Sequence, residues 1–502
     1  MAWKTRTWPV GIGGDLYATD AVEEAFRLDR QEFAKALASI VGEENVLWKD
    51  YDLTLYEYDG SIDRSRPEAV VLPANAEQIA AIVRLCVREK KPYTARGAGT
   101  GLSGGALPIE GGVVIVFSKM NRIQEVDLPN LRAVVEPGVV NLHLSQAIAS
   151  TGLHFVPDPS SQKACTIGGN VGENSGGPHT LLYGVTTNHI TGLELVTTDG
   201  EVVDVGGKAV DLPGYDLTGL LVGSEGTFGV VTKAIVRLTP IAEAVRTMLA
   251  VFDSLDDASN AVSGIIAAGI VPAAIEMMDH LSLVAVEASV HAGYPTDAEA
   301  VLLVEIDSLA EGLDGQTDRI RAVCDQNRVR ETRIAKTAKE RNLLWAGRKG
   351  AFSAMGRISP DFYTMDGCVP RDRIADVLRQ INAISERYGI RIANVFHAGD
   401  GNLHPLVLFD ADVPGQEDKV REMGVEILQV CADAGGSLTG EHGIGVEKRE
   451  MMGMIFSDDD LDWMKTVKAA IDPTALSNPG KIFPTPGKCW IPSKGRLAAV
   501  GW

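Results

Sequence analysis

Two histidines bracket the stretch His397-Ala-Gly-Asp-Gly-Asn-Leu-His404. Its flanks, IRIANVF and PLVLF, are apolar and β-branched and predict two strands, with Gly-Asp-Gly-Asn as a tight turn between them. Such a hairpin brings its arms together, so the imidazoles can face one another. A histidine pair either fills a polar niche or holds a ligand, and the pair alone leaves both open. Downstream, Thr439-Gly440-Glu441-His442-Gly443-Ile444-Gly445 sets a carboxylate beside a third histidine, between glycines that let backbone come close. His397, His404 and Glu441 form a set of two imidazoles and a carboxylate, and three protein ligands leave positions open on a metal.

A second kind of chemistry is written in glycine. Three segments, RGAGTGLSGGALP from Arg96, PDPSSQKACTIGGNVGENSGGPHT from Pro157 and GSEGTFGVVT from Gly223, place Gly beside Ser or Thr. Gly99-Thr-Gly101-Leu-Ser-Gly104 matches GxGxxG, but Gly105, Pro108 and Gly111-Gly112 follow it, so no helix opens there as a dinucleotide fingerprint requires. No Gly-Lys is followed by Ser or Thr, which excludes a Walker A loop. A loop of unencumbered backbone N–H groups can still wrap a pyrophosphate.

The elements that must position these residues follow from periodicity. A helix is expected over AVEEAFRLDRQEFAKALASIVG, ending at Gly42. Asn75-Ala-Glu-Gln78 reads as a capping box for a helix whose apolar face is Ile79, Ile82, Val83, Cys86 and Val87. VVIVF (113–117), LRAVVEPGVV (131–140), ITGLELVTTDG and EVVDV read as strands. Around Pro240 the character changes, and strands such as VLLVEI alternate with long amphipathic helices. One of these carries Val420, Met423, Ile427, Leu428 and Cys431 on one face and stops at Gly435-Gly436. The expected division is a helical segment over 1–44, a domain over 45–240, a second over 241–445 and a tail over 446–502 that returns to the first domain.

A chain of 502 residues with 45% apolar content is long enough for two or three cored domains. Its net charge of −20 argues against nucleic acid and anionic membrane surfaces as partners. The uncharged run Ala258 to Ile275 lacks the apolar density of a membrane span, and the N-terminus lacks a signal-peptide core. The expectation is a cytoplasmic protein without direct membrane insertion. The six cysteines are widely scattered, which excludes CxxC zinc knuckles and ferredoxin-type clusters.

The three glycine segments and the closing Asn478-Pro-Gly-Lys481 together resemble the FAD-binding fold of vanillyl-alcohol-oxidase type, from about residue 45 to about 485. Within that family the resemblance is to FAD-linked oxidases of the glycolate oxidase and D-lactate dehydrogenase kind. D-2-hydroxyglutarate dehydrogenases are wider relatives. It implies an α+β protein: a two-part FAD-binding domain, an α+β substrate or cap domain, and a C-terminal segment completing the first. Carried onto this chain, it places Arg96, Gly97, Gly99, Thr100, Gly101, Ser103 and Gly104 on the FAD pyrophosphate. Pro157, Asp158, Ser161, Gly168, Gly169, Asn170 and Ser175 follow the ribityl chain and ring. Glu225, Gly226 and Val230 lie near the adenine end, and Asn478 and Lys481 approach from the C-terminal side. Family members with covalent flavin carry His where this chain has Thr100, so FAD is expected to be non-covalent.

In the relatives the positions of His397, His404 and Glu441 hold a divalent metal, usually zinc, with manganese or iron as alternatives, and His442 accepts the proton. The resemblance thus implies oxidation of a small 2-hydroxy acid, glycolate or D-lactate, to the 2-keto acid by hydride transfer to flavin N5. Arg348, in Trp345-Ala-Gly-Arg348-Lys349, matches the family's carboxylate-binding arginine. Hydroxyglutarate-specific relatives carry Lys near Thr364, where this chain has no cation. Glycolate oxidase complexes add a second flavin-type subunit and an iron–sulfur subunit passing electrons to quinone, which would place the chain peripherally at the inner membrane. The alternatives are a self-sufficient dehydrogenase, a D-2-hydroxyglutarate-type enzyme, a non-catalytic flavoprotein subunit and a flavin-free zinc hydrolase using the same two histidines and glutamate.

Overall fold

A computed structural model describes residues 28–209 and 213–485. The first half is built on two sheets. A four-stranded sheet runs in the order Val46–Leu47, Ala69–Val71, Val113–Val116, Tyr93–Arg96, and its last three strands are parallel. A five-stranded antiparallel sheet runs Ile123–Asp127, Arg132–Val135, Val230–Arg237, Ile190–Val196, Val202–Gly206. The second half carries a seven-stranded antiparallel sheet in the order Glu331–Ile334, Ala244–Phe252, Ala300–Ser308, Ala274–Asp279, Ile392–Phe396, Pro405–Phe409, Asp361–Thr364. Its inner strands are buried on both faces, because helices such as Leu255–Ala267 and Ile374–Tyr388 pack on one side and His280–Val290 and Ala338–Lys349 on the other.

Asn75 caps the helix Ala76–Glu89 by accepting from the Gln78 N–H, and Ile79, Ile82, Val83 and Cys86 are buried as the spacing predicts. The Gln78 side chain reaches the Ala74 N–H rather than that of Asn75, so only half of the expected box forms. The first described helix is shorter than periodicity suggests. It spans Arg30–Val41, because Asp29 and Glu32 form a capping box there, and it ends at Gly42 as expected. The predicted stretch before Leu28 lies outside the described residues. Phe33, Leu37 and Val41 pack against Ile79 and Val83, so this helix shares the core of the first sheet. The strand expected over 131–140 covers only Arg132–Val135, since Pro137 brings no N–H to a ladder.

The tail does return. The Asn478 N–H donates to Tyr93 O at 2.8 Å, and the Asn478 side chain takes a hydrogen bond from Thr94 Oγ1 at 3.0 Å. No helix among the described residues is long and apolar enough to cross a membrane.

Candidate active site

The hairpin predicted around His397 forms. Ile392–Phe396 and Pro405–Phe409 pair antiparallel, with Asn394 opposite Pro405, and His397 faces Asn402 across the turn. Gly401 sits at φ +74°, and a Cβ there would lie 2.1 Å from Val369 O, so this turn needs glycine. The ends of the hairpin bring the His397 and His404 rings to 5.0 Å between centroids, nearly perpendicular. His397 Nδ1 meets Glu276 Oε1 at 2.8 Å and its Nε2 meets Glu441 Oε1 at 3.0 Å. His404 Nε2 lies 3.6 Å from that same Glu441 oxygen.

The ligating atoms of His397, His404 and Glu441 all lie within 4.8 Å of one another, a spacing that fits a divalent cation. A carboxylate on Nδ1 of a metal-binding histidine fixes the ring and turns Nε2 to the ion, and Glu276 is so placed on His397. Burial disfavours the His397 cation, but Glu276 and Glu441 prevail and push its pKa up to about 10. Burial likewise opposes the Glu441 carboxylate, yet His397 beside it holds the group down at about 2. Asp366, His404 and His442 form an overlapping triplet of the same spacing. The first set is the better one, because Asp366 is already spent on neighbouring N–H groups.

His442 stacks on His404, with centroids 4.9 Å apart and planes 17° off parallel. Its Nδ1 is buried and makes no hydrogen bond. Burial, helped by His404 and opposed by Asp366, pushes its pKa down to about 4, so the ring is a neutral base at pH 7.

His404, Glu441 and His442 close one end of a cavity of about 370 Å³. The predicted Gly97, Gly99, Thr100 and Gly101 line it from the first glycine segment. Ser161, Gly168, Gly169, Asn170 and Ser175 line it from the second, and Glu225 and Gly226 from the third. Among the described residues, the backbone N–H groups from Ala98 through Ser103 have no protein acceptor. That row of free donors fits a pyrophosphate. No helix starts in this loop, as the sequence predicts.

The other predicted residues stand behind the wall. Arg96 gives Nη2 to Tyr58 O at 2.7 Å, with its guanidinium against Gly99. Ser103 O accepts the Val446 N–H at 2.9 Å, and Gly104 packs on Val446. Pro157 O accepts from Asn141 Nδ2 at 2.9 Å, and Val230 is in the core of the first sheet. Asn478 Nδ2 donates to Gly105 O at 2.9 Å and Glu225 O at 2.6 Å, while Lys481 Nζ donates to Leu107 O at 2.5 Å. These two brace the glycine loop from outside. Asp158 takes His179 Nδ1 at 2.9 Å and Lys349 Nζ at 2.8 Å.

Arg348 is placed differently from the expectation. Its side chain is wholly buried and its Nη2 lies 2.5 Å from Glu276 Oε2, away from the cavity lining. The next residue, Lys349, lines the cavity instead. Sequence reasoning also missed Glu276, Asp366 and Lys448, all three fully buried. Glu276 had a signal, a charge set within the apolar run of the strand AIEMMD; Asp366 and Lys448 had none.

The comparisons with known proteins speak to the family and the fold. Residues 67–206 match the FAD binding domain family and residues 241–482 match the FAD linked oxidases, C-terminal domain. The glycolate oxidase subunit GlcD of Escherichia coli is 48% identical over 92% of this chain and 93% of its own. The D-lactate dehydrogenase of Archaeoglobus fulgidus is 34% identical over 85% and 95%. Among solved structures, 4-ethylphenol oxidase from Gulosibacter chungangensis superposes with TM-score 0.76 at 18% identity, covering 94% of this chain and 99% of its own, and so shares the fold. The chain belongs to the FAD-linked oxidases, and it is an FAD-dependent oxidoreductase. A flavin-free hydrolase does not account for that membership.

Proposed function

We propose that this chain oxidises a small 2-hydroxy acid, glycolate or D-lactate, to the 2-keto acid. FAD occupies the glycine-walled cavity non-covalently, and a divalent cation, zinc before manganese or iron, rests on His397, His404 and Glu441. One observation carries the reading: His404, Glu441 and His442 line the same cavity as the unpaired N–H loop, and His397 stands behind them against Glu441. A cation held by His397, His404 and Glu441 would supply polarisation of the substrate hydroxyl, and FAD in the glycine-walled cavity would supply the hydride acceptor. His442 takes the hydroxyl proton at Nε2, the ring nitrogen turned away from Asp366. Glu276 orients His397, and Arg348 holds Glu276. Lys349, the cation that lines the cavity, meets the substrate carboxylate in the place expected of Arg348.

Thr364 is buried in its strand and supplies no second cation, which favours a short substrate over hydroxyglutarate. The relative's name, a subunit of glycolate oxidase, supports partner subunits; the proposal extends to reoxidation through a second flavin-type subunit and an iron–sulfur subunit, with the chain cytoplasmic and held at the inner membrane through them. The division at 45–240, 241–445 and 446–502 follows the same reading. An anaerobic absorbance titration with glycolate and D-lactate, before and after chelator, tests it. Bleaching of the flavin band that chelation prevents is expected. Bleaching indifferent to chelator overturns the cation, and a band that neither acid bleaches overturns the substrate class.

A further inference from the structure

The turn that carries Glu441 and His442 has no helix or strand of its own. Its shape comes from beneath. Asp366 accepts the Gly440 N–H at 3.0 Å, the Glu441 N–H at 3.3 Å and the His442 N–H at 2.9 Å, all at Oδ2, and Thr439 Oγ1 at 2.5 Å. Its Oδ1 accepts Asn402 Nδ2 at 2.7 Å and lies 3.4 Å from His404 Nε2. One carboxylate therefore ties the turn to the histidine hairpin. Lys448 closes the other side: its Nζ reaches Gly443 O at 3.2 Å and Asp366 Oδ2 at 3.3 Å. Both side chains are fully buried. A buried ion pair is a weak source of stability, since desolvation offsets its attraction. Here its hydrogen bonds converge on the backbone of two functional residues.

We propose that Asp366 and Lys448 are positioning residues that set Glu441 and His442 against the hairpin, an inference that rests on the function proposed above. Neither touches the substrate. Asp366 takes the amides that aim the two side chains, and Lys448 holds the carbonyl that follows them.

The test uses the full-length FAD-loaded protein and the variants Asp366→Asn, Lys448→Met and the double variant. Zn(II) affinity is read by chelator competition, flavin content by absorbance, and kcat and KM by anaerobic and steady-state kinetics. Amide exchange is followed over 439–445 and over 97–106. Asp366→Asn is expected to weaken Zn(II) binding by about 10- to 100-fold and lower kcat, with FAD retained. It leaves Lys448 without its carboxylate, so the double variant should regain thermal stability but neither Zn(II) affinity nor kcat. Exchange should speed up over 439–445 only. Recovery of kcat in step with stability would reduce the pair to a structural role and overturn the proposal. Unchanged exchange over 439–445 in a folded variant overturns it too, whatever Zn(II) does. Failure of the unaltered protein to bind Zn(II) refutes the proposed cation instead, and amide exchange still judges the clamp.

Discussion

At the glycine end of the cavity the ligand meets backbone; at the histidine end it meets side chains. The first end offers a row of N–H groups from Ala98 to Ser103, held open by tight approaches. A Cβ on Gly97 would sit 2.4 Å from Thr166 Oγ1. The second end crowds His397, His404, Glu441 and His442 into one contact network over buried Asp366 and Glu276. The two ends meet at several contacts: Glu225 accepts the Ile444 and Gly445 N–H groups at 2.8 Å each. Ser103 O accepts from Val446, and a Cβ on Gly445 would lie 2.0 Å from that oxygen. Backbone recognition suits a ligand that stays, because it needs only fixed dipoles. Side-chain recognition suits a reaction, because protons must move.

If the division is real, the ends should fail separately. The largest effect is expected from His442→Ala. Loss of the base should slow flavin reduction by about 10²- to 10⁴-fold, while the yellow band survives purification. Stopped-flow absorbance measures the rate, and a near-normal rate would remove His442 from the chemistry. The opposite lesion is Gly97→Ala. Its Cβ collides with the threonine that caps the helix Ile167–Glu173, so the wall must shift. Overpacking costs about 1–3 kcal/mol, or roughly 10- to 100-fold in FAD affinity. Zn(II) uptake should be unchanged. Equal loss of FAD and Zn(II) in this variant would show that the two ends are one unit.

The two ends were not equally legible in the sequence. The hairpin, the Glu441-His442 pair and the three glycine segments could be read because each is local: its meaning lies within a dozen residues. Nothing local marks Asp366 or Lys448. Their burial is decided by partners such as Asn402 and the 440–442 amides, which only the folded chain assembles. Arg348 and Lys349 show how much one position decides. Adjacent residues on a helix point about 100° apart, so one position separates a side chain buried on Glu276 from Lys349 facing the cavity. With Asn478 and Lys481 the tail was correctly brought back, but to brace the loop's carbonyls from behind.

An effect on stability rather than on either end concerns a histidine that is the inverse of His442. His179 joins the two halves of the molecule: Nδ1 meets Asp158 at 2.9 Å and Nε2 meets Glu305 at 3.2 Å. Glu305 also takes Trp345 Nε1 at 2.5 Å, and Asp158 takes Lys349. Burial disfavours the His179 cation, but Asp158 and then Glu305 outweigh it and push its pKa up to about 10, against 6.5 in an unfolded chain. A folded pKa above the unfolded one means stability that is complete below pH 6.5 and drains as pH rises through 10. Within that window the slope is at most about 1.4 kcal/mol per pH unit. The apparent Tm of the unaltered protein should therefore fall more steeply between pH 7 and 10 than that of His179→Gln. The variant should be less stable at pH 7 and approach the unaltered protein at pH 10. Parallel curves would mean that His179 is neutral, and that the contact between the halves rests on Lys349 with Asp158 and on Tyr183 with Asp307.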